Sequence, residues 1–377
     1  MIYLDNAATT YPKPEYVYEQ MDFVNRNLCF NAGRGSYKKA REATELIDST
    51  KKMLLKLVNA QNGTVSFTAS LTIALNEIIQ GVDLKAGANV YISPYDHNAV
   101  ARVSNLLPED VNVIQLPVHS GSLEIDLEKT KYMFAKQHPA LVCCVHVSNV
   151  TGYILPVYEI FGLAKEYDSI TVLDTAQSLG LLPIDQAALR VDFIAFAGHK
   201  TLYGPFGIGG MIIAPNAPKL KVVIAGGTGS DSLNVNMPET VPARYESSSS
   251  NIVAIAGLKA ALEQLKQDEN CTVEMALTKY LRDKLAEVPG VIVYYPPEDY
   301  HIGVVSFNVE GFIAEDIGMI LDQDYDIAVR TGNHCAPYVH GLINDSEFVG
   351  TVRASVSMFT KTDEIDAFVD ALCEISQ

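Results

Sequence analysis

VDFIAFAGHKTLYGPFGIGG, residues 191–210, is the stretch around which the chain is organised. Its first part, VDFIAFAG, is an apolar run typical of a strand buried on both faces of a mostly parallel sheet. His199 and Lys200 follow at once, and a glycine- and proline-rich segment covers 204–210. A lysine at this strand end lies where open α/β folds bind ligands, and partial desolvation there lowers the pKa of its amine and activates it towards carbonyl groups. Alternatively, Lys200 simply extends from the strand end into solvent.

Strand-like and helix-like segments alternate on both sides of this stretch. The predicted strands are VSFTA, ANVYIS, VNVIQLPV, ALVCCVHVS, ITVLD, VDFIAFAG and GMIIA. The predicted helices cover 12–28, 37–58, 124–137 and 157–167, with two more that begin near residues 71 and 98. This alternation predicts an α/β fold with a mostly parallel seven-stranded sheet that is covered on both faces.

The pattern changes after about residue 240. Helices are expected at 251–267, 272–287, 313–322 and 363–375, and strands at VIVYY, VVSFNV, IAVRT and TVRASVSMF. We therefore expect a large ligand-binding domain over 12–240 and a smaller C-terminal α+β domain with a mixed sheet over 241–377. The extended N-terminal arm, 1–11, is assigned to the smaller domain.

Composition excludes several classes of protein. Hydrophobic residues make up 48% and charged residues 19% of the 377 residues, which suits a large core. The net charge of −17 argues against nucleic acid as a partner. No apolar run reaches membrane-spanning length, and the N-terminus lacks a signal pattern, so we expect a cytoplasmic protein without a membrane partner. Six cysteines without a CxxC pair argue against disulfides and a metal site, and Cys143 and Cys144 are expected in the core.

Polar residues stand where five apolar runs end. They are Ser70 and Thr72 in FTASLT, His97 in YDHNAV, Asn149 in HVSNVTG, Asp174 and Gln177 in DTAQS, and the pair His199–Lys200. Ser70 and Thr72 begin a helix, which makes either an anion site or an ordinary N-cap. His97 could stack on a flat ring or move protons, or be structural. Asn149 could bind a ligand oxygen or merely form a turn.

Pyridoxal phosphate accounts for all five positions. Its phosphate suits the helix start at Thr72, its aldehyde suits Lys200, and its ring nitrogen suits Asp174. A carboxylate roughly 4 Å from a charged nitrogen contributes roughly 4 kcal/mol at an effective dielectric near 20, or roughly three pKa units. Such a pair keeps the pyridine protonated, and the protonated ring is the electron sink of this chemistry.

The motifs, taken in order, resemble the cysteine desulfurases of the class V aminotransferase group, which are fold-type-I pyridoxal-phosphate enzymes. They are YLDNAATT, FTASLTIALN, DHNAV, HVSNVTG, DTAQS, GHKTLYGPFGIG, RYESSSSN, VRTGNHCAP and VRASVSMF, and they span nearly the whole chain. The resemblance implies that Lys200 binds the cofactor covalently, His97 stacks on its ring, Asp174 pairs with the ring nitrogen and Gln177 approaches the phenolic oxygen. The implied phosphate contacts are Ser70, Leu71, Thr72 and His199.

The resemblance also implies substrate contacts and a partner subunit. Arg353 is the expected clamp for the substrate carboxylate, because a guanidinium fork binds carboxylates bidentately. Further candidates near the substrate are Asn149, Ala7, Arg330 and Arg34. Each arginine could instead form a structural ion pair, and for Arg34 this is the favoured interpretation. Ser249 stands where relatives have a threonine that reaches the phosphate of the other subunit, which implies a homodimer with composite sites.

Cys335 matches the catalytic cysteine of that family. By resemblance, its thiolate takes sulfur from L-cysteine, leaving alanine and a persulfide, with His334 or His97 assisting. The surrounding TGNHCAP is polar and loop-like, which argues against a core cysteine. The short segment from Arg330 to Arg353 resembles the branch with a compact cysteine loop, in which a separate sulfur-acceptor protein often stimulates turnover.

The sequence departs from the family at several positions. Ala197 replaces a phosphate-binding serine, Asn333 replaces a histidine, and Leu71, Ile73 and the SSSS run at 247–250 also differ. Selenocysteine lyase, cysteine sulfinate desulfinase or transaminase activity on the same cofactor therefore stays open, as does a non-catalytic scaffold. A nucleotide-binding protein is disfavoured, because neither GxGxxG nor GxxxxGK[ST] follows the early strands.

Overall fold

A computed structural model describes residues 1–33, 35–229 and 233–377, with the backbone alone for Glu298. The strands are β1 Ile2–Tyr3, β2 Thr64–Thr68, β3 Asn89–Ile92, β4 Asn112–Gln115, β5 Pro139–Val145, β6 Ile170–Asp174, β7 Phe193–Ala197, β8 Gly209–Ile213, β9 Val291–Tyr294, β10 Val304–Val309, β11 Ile327–Ala328, β12 Arg330–Gly332 and β13 Thr351–Ser355. The helices are α1 Glu15–Asn27, α2 Lys38–Leu57, α3 Leu71–Gly81, α4 Asn98–Ser104, α5 Leu127–Lys136, α6 Val157–Ala164, α7 Gln186–Leu189, α8 Ile252–Gln264, α9 Gln267–Ala286, α10 Ala314–Tyr325, α11 Val339–Ile343 and α12 Thr362–Ile375.

A seven-stranded sheet forms the centre of the molecule, in the order β2-β8-β7-β6-β5-β3-β4. Strand β8 runs antiparallel to both neighbours, and the other pairs are parallel. The prediction of a mostly parallel seven-stranded α/β sheet is therefore confirmed. The helices predicted from periodicity are present, with ends that differ by a few residues, whereas β1, α7 and α11 were not anticipated.

Each central strand contributes to two hydrophobic clusters, one on each face of the sheet. On β5, for example, Cys143 packs into one cluster and Cys144 into the other, and each is 1% exposed. Successive side chains of a strand point to opposite faces, so a continuous apolar run is what a sheet covered on both sides requires. The expectation that these two cysteines fill the core is confirmed.

The C-terminal sheet corrects one prediction. Its order is β12-β13-β10-β9, and every neighbouring pair is antiparallel, so the mixed sheet expected there was wrong. The run IAVRT, expected as one strand, is divided at Val329. Its first part, β11, pairs in parallel with β1 of the N-terminal arm, and its second part, β12, pairs with β13. The predicted strand is thus divided between two sheets, because β1 of the arm pairs only with its first two residues.

The N-terminal arm joins the two halves of the chain. Beyond β1, Asp5 forms a parallel bridge with Ser355, and Thr10 donates its amide to the carbonyl of His199 at 3.2 Å. Helix α8, which follows the predicted domain boundary at residue 241, packs against α1 and α2, which precede it. Contacts therefore cross this boundary, and its position remains a prediction. None of the helices in the described ranges combines the length and the hydropathy that a membrane span requires.

Candidate active site

A cavity of about 200 Å³ lies at the carboxyl ends of β5, β6 and β7. It is lined by nine residues that the sequence singled out, Ser70, Leu71, Thr72, His97, Asn149, Asp174, Gln177, His199 and Lys200, and by Val145, Ala176 and Ala197. Carboxyl ends of parallel strands meet at one edge of a sheet, which is why residues far apart in sequence converge there.

Glycine at position 209 lets the start of α3 reach this edge. A Cβ atom on Gly209 would lie 2.6 Å from the amide nitrogen of Leu71 and 2.7 Å from the carbonyl carbon of Ser70. Both are backbone atoms, so a larger residue would displace the helix. The close approach of β8 brings the N-terminal peptides of α3 to the cavity, where they can bind an anion. Ser70 also caps α3, since its hydroxyl accepts from the amide of Ile73 at 3.4 Å.

Asp174 is a buried carboxylate with an unused oxygen. Its side chain is 1% exposed, and Oδ1 accepts from the amide of Ala176 at 2.8 Å. Oδ2 has no hydrogen-bond partner among the described residues. Burial raises the pKa of Asp174 to about 6, although the Ala176 amide and the Lys200 ammonium act in the opposite direction. A buried carboxylate oxygen without a partner is suited to a cationic ligand atom, such as a protonated ring nitrogen.

Lys200 lies in a turn that the N-terminal arm holds in place. Its carbonyl accepts from the hydroxyl of Thr10 at 3.0 Å and from the amide of Tyr203 at 2.8 Å. Burial lowers the pKa of Lys200 to about 8, with Asp174 opposing this effect and Arg353 reinforcing it. The amine is thus neutral in an appreciable fraction of molecules at weakly alkaline pH.

His199 lies beside Lys200 in the cavity lining. Its ring stacks on Phe206 with centroids 4.5 Å apart, and its Nδ1 has no partner among the described residues. Burial lowers the pKa of His199 to about 3, with the charges of Lys200 and Lys13 contributing. Lys13, which sequence reasoning missed, donates to the carbonyl of His199 at 2.5 Å. Its only signal was its position directly after the arm.

His97 is neutral in this environment. It is the N-cap of α4, and its Nδ1 accepts from the amide of Ala99 at 3.0 Å, so the neutral ring carries its proton on Nε2. Burial lowers the pKa of His97 to about 4, and Lys200 contributes. An uncharged imidazole can contact a flat ligand ring, and its Nε2–H can donate a hydrogen bond.

Arg353 lies outside the cavity lining but contacts its wall. Its Nη1 donates to the carbonyl of Asn149 at 3.0 Å, and its Nη2 donates to Asp5 at 2.7 Å. The Nε atom has no partner among the described residues. Arg330 is exposed on β12 and is paired in register with Arg353. Asp5, inside the YLDNAATT motif, was not anticipated as the partner of Arg353.

The backbone of Ala7 forms hydrogen bonds that support the site. The carbonyl of Ala7 accepts from Nε2 of Gln177 at 2.9 Å, and its amide donates to the hydroxyl of Ser355 at 2.9 Å. The arm residue that was expected near the substrate therefore orients Gln177, which lines the cavity.

Cys335 is exposed and lies in the loop between β12 and β13, outside the cavity lining. Its carbonyl accepts from the amide of Asn98, the residue after His97, at 2.7 Å. The side chain of Asn149 donates to the carbonyl of His334 at 2.8 Å. The cysteine loop is therefore hydrogen-bonded to two walls of the cavity.

The predicted aid from His334 has little electrostatic support. Burial lowers the pKa of His334 to about 2, and Arg353 contributes. Its Nε2 lies 3.0 Å from the carbonyl of Thr351, which fixes the proton on that nitrogen. At neutral pH this ring is a poor proton acceptor.

One further candidate lies away from the cavity. Ser249 is exposed in a separate groove, together with Asn31, Gly227 and Ser248, and does not line the cavity. Arg34 lies outside the described residues.

A large, mostly parallel sheet with a lysine after β7, and with a buried aspartate at the end of β6 whose Oδ2 has no partner among the described residues, is typical of one class of cofactor-dependent enzymes. The chain belongs to the aminotransferase class-V family, whose model matches residues 2–368.

Within this family, the chain is similar to proteins named cysteine desulfurase. A probable cysteine desulfurase of Pyrococcus abyssi is 33% identical over 393 residues, covering 100% of this chain and 94% of its own. A cysteine desulfurase of Escherichia coli is 30% identical, with coverage of 100% and 93%. The apo structure of cysteine desulfurase from Thermococcus onnurineus matches with a TM-score of 0.89 at 29% identity, covering 100% of this chain and 94% of that one.

Proposed function

We propose that this protein is a pyridoxal-phosphate-dependent cysteine desulfurase that converts L-cysteine to L-alanine and passes the sulfur to Cys335 as a persulfide. The observation that carries the proposal is the buried Oδ2 of Asp174, without a partner among the described residues, in the same cavity as Lys200. A family whose members depend on pyridoxal phosphate, and relatives named cysteine desulfurase along the whole chain, support it.

The residues present suit this cofactor. Lys200 would hold it covalently, Asp174 would face the ring nitrogen, His97 would lie on the ring face, and Gln177 would bind the phenolic oxygen. The N-terminal peptides of α3 and His199 would hold the phosphate, while Ala197 offers no hydroxyl there. When bound, pyridoxal phosphate supplies an electron sink for bond changes at the substrate.

The protein groups around it perform proton transfer and orientation. Lys200, with its pKa lowered to about 8, can both accept and return a proton near neutral pH. Asp174 is ionised above a pKa of about 6, and a cationic partner extends that range downward. The Nε of Arg353, which has no partner within the described part of the chain, and the neighbouring Arg330 provide positive charge for the substrate carboxylate.

Cys335 acts as the sulfur acceptor in this proposal. Its thiolate forms an S–S bond to the substrate sulfur, and the carbon–sulfur bond breaks with its electron pair left on carbon. That carbon takes up a proton and becomes the methyl group of alanine, so cysteine and one protein thiol give alanine and one persulfide. The exposure of Cys335 leaves the persulfide open to a second thiol or to a sulfur-acceptor protein.

We also infer a homodimer with composite active sites. Ser249 lies exposed in a groove away from its own cavity, which suits a contact with the cofactor phosphate of a partner subunit. A hydroxyl can form the same charge-assisted bond as the threonine of relatives. The cytoplasmic location remains a prediction from the sequence.

Cys335→Ala tests the function directly, with Cys29→Ala as the matched control because both thiols are exposed. Both variants should be yellow and should change absorbance on adding cysteine. Cys335→Ala should lose nearly all alanine and sulfide formation, because a positioned nucleophile can contribute roughly 7–11 kcal/mol to lowering a barrier. Alanine release at the wild-type rate would show that this thiol is not the acceptor. Activity retained only towards selenocysteine or cysteine sulfinate would favour the related lyase and desulfinase activities.

A further inference from the structure

The loop that carries Cys335 is held in an uncommon backbone conformation. His334 and Cys335 both have positive φ angles, 45° and 56°, and Asn344 and Val349 follow with 55° and 58°. For residues other than glycine these angles cost free energy, and they persist only where surrounding contacts enforce them. The bonds from Asn98 and Asn149 hold the side of the turn that faces the cavity.

His340 holds the other side. Its Nδ1 lies 2.5 Å from Oδ2 of Asp345, and its Nε2 lies 2.9 Å from the carbonyl oxygen of Asn333. A carboxylate and a carbonyl are both acceptors only. The ring therefore donates from both nitrogens, which means that it carries two protons and a positive charge. Asp345 is 2% exposed, so the pair is anchored in the interior.

The charges around His340 favour this state. Burial lowers the pKa of His340, but the bonds to Asp345 and to the Asn333 carbonyl outweigh it, so the pKa is raised above 6.5. The neighbouring ring of His334, with its centroid 6.2 Å away, stays neutral because its pKa is lowered to about 2. On this side, burial raises the pKa of the Tyr294 hydroxyl, and electrostatic interaction with Asp345 and Glu347 raises it further.

We propose that His340 is a positioning residue for Cys335: its doubly protonated ring ties Asn333 to the buried Asp345 and so holds the thiol in the geometry that sulfur transfer requires. The role of the thiol rests on the proposed function, whereas the loop contact does not. When the ring loses its second proton, one of the two acceptors loses its donor, and the turn is released. The contact is complete below pH 6.5 and is lost as the pH rises through the raised pKa of His340.

The test uses the cofactor-loaded enzyme and three variants. His340→Gln removes the charge and one of the two bonds. Asp345→Asn keeps the shape of the acceptor and removes its charge, which lowers the pH at which His340 deprotonates. His119→Gln is the matched control, because His119 also faces a carboxylate, Asp126 at 3.5 Å, but on the surface.

Single-turnover persulfide formation at Cys335 is measured by mass spectrometry from pH 6 to pH 9. His340→Gln should slow it by roughly tenfold to a hundredfold, because small misplacements of a reacting group have effects of that size. The absorbance change on adding cysteine should be unaffected. The wild type should lose rate towards alkaline pH, Asp345→Asn should lose it at lower pH, and His340→Gln should lack this loss.

A second readout is independent of turnover. Alkylation of Cys335 by iodoacetamide, with Cys29 as the internal reference, should be faster in His340→Gln and Asp345→Asn than in the wild type. Unchanged alkylation together with wild-type persulfide rates at every pH would overturn the proposal. Failure of the proposed function alone would appear differently, as normal alanine release by Cys335→Ala with the alkylation differences intact.

Discussion

Substitution of Asp174 by asparagine separates two effects of this carboxylate, its effect on the stability of the folded protein and its effect on activity. The side chain is 1% exposed, and one oxygen has no partner among the described residues. Asparagine keeps the shape and the acceptor for the Ala176 amide but removes the charge. We expect opposite effects on the stability of the cofactor-free protein and on the activity of the loaded protein.

The stability effect follows from the raised pKa. Asp174 goes from an ordinary pKa of 3.8 to about 6 on folding, a gap that corresponds to about 3 kcal/mol. Because the pKa is raised in the folded state, proton binding by Asp174 stabilises the folded protein. This contribution to the unfolding free energy is complete below pH 3.8 and is lost as the pH rises through 6. Relative to Asp174→Asn, the wild type should therefore lose about 1 kcal/mol of unfolding free energy between pH 5 and pH 8. The pH-dependent difference is independent of any constant effect of the new amide.

The effect on activity has the other sign. A carboxylate about 4 Å from a cationic ring nitrogen contributes about 4 kcal/mol at an effective dielectric near 20. Losing all of it would slow alanine formation about 10³-fold, since each 1.36 kcal/mol is a factor of ten.

Urea unfolding of cofactor-free wild type and variant at pH 5 and pH 8 measures the first effect. Alanine release by the loaded proteins measures the second. A stability difference that is the same at both pH values would refute the burial argument, and a loaded variant with wild-type turnover would refute the pairing with the ring nitrogen.

Three further predictions concern the covalent link, the substrate clamp and the assembly. Borohydride treatment should fix the cofactor to the peptide that contains Lys200, and a label on any other lysine would contradict the assignment. Arg353→Lys keeps the charge but loses the planar fork, so KM for cysteine should rise roughly tenfold to a hundredfold, the equivalent of roughly 1.5–3 kcal/mol for a charged hydrogen bond, and an unchanged KM would argue against the clamp. Light scattering should show a dimer, and Ser249→Ala should weaken cofactor binding; a monomer that holds the cofactor tightly would disprove composite sites.

Local patterns in the sequence were sufficient to predict the central sheet and most of the residues that line the cavity. Apolar runs bounded by glycine and by polar residues predict strands, helical periodicity predicts what lies between them, and parallel connections place all carboxyl ends at one edge. Asp174, His97 and Lys200 could therefore be expected together before any coordinates were known.

The contacts that shape the site from outside the central sheet could not be predicted in this way. The pairing of Arg353 with Asp5, the support of Gln177 by Ala7, and the division of IAVRT between two sheets all depend on where the N-terminal arm lies.

The same limit applies around Cys335. The sequence by itself determined that this cysteine lies in a polar loop, because TGNHCAP lacks any apolar periodicity. Only the tertiary structure decided that α11 forms and that His340 meets both Asn333 and Asp345. Hydrophobic periodicity is a local property of the chain, whereas an ion pair or a bridging hydrogen bond exists only once folding has brought its partners within about 3 Å of each other.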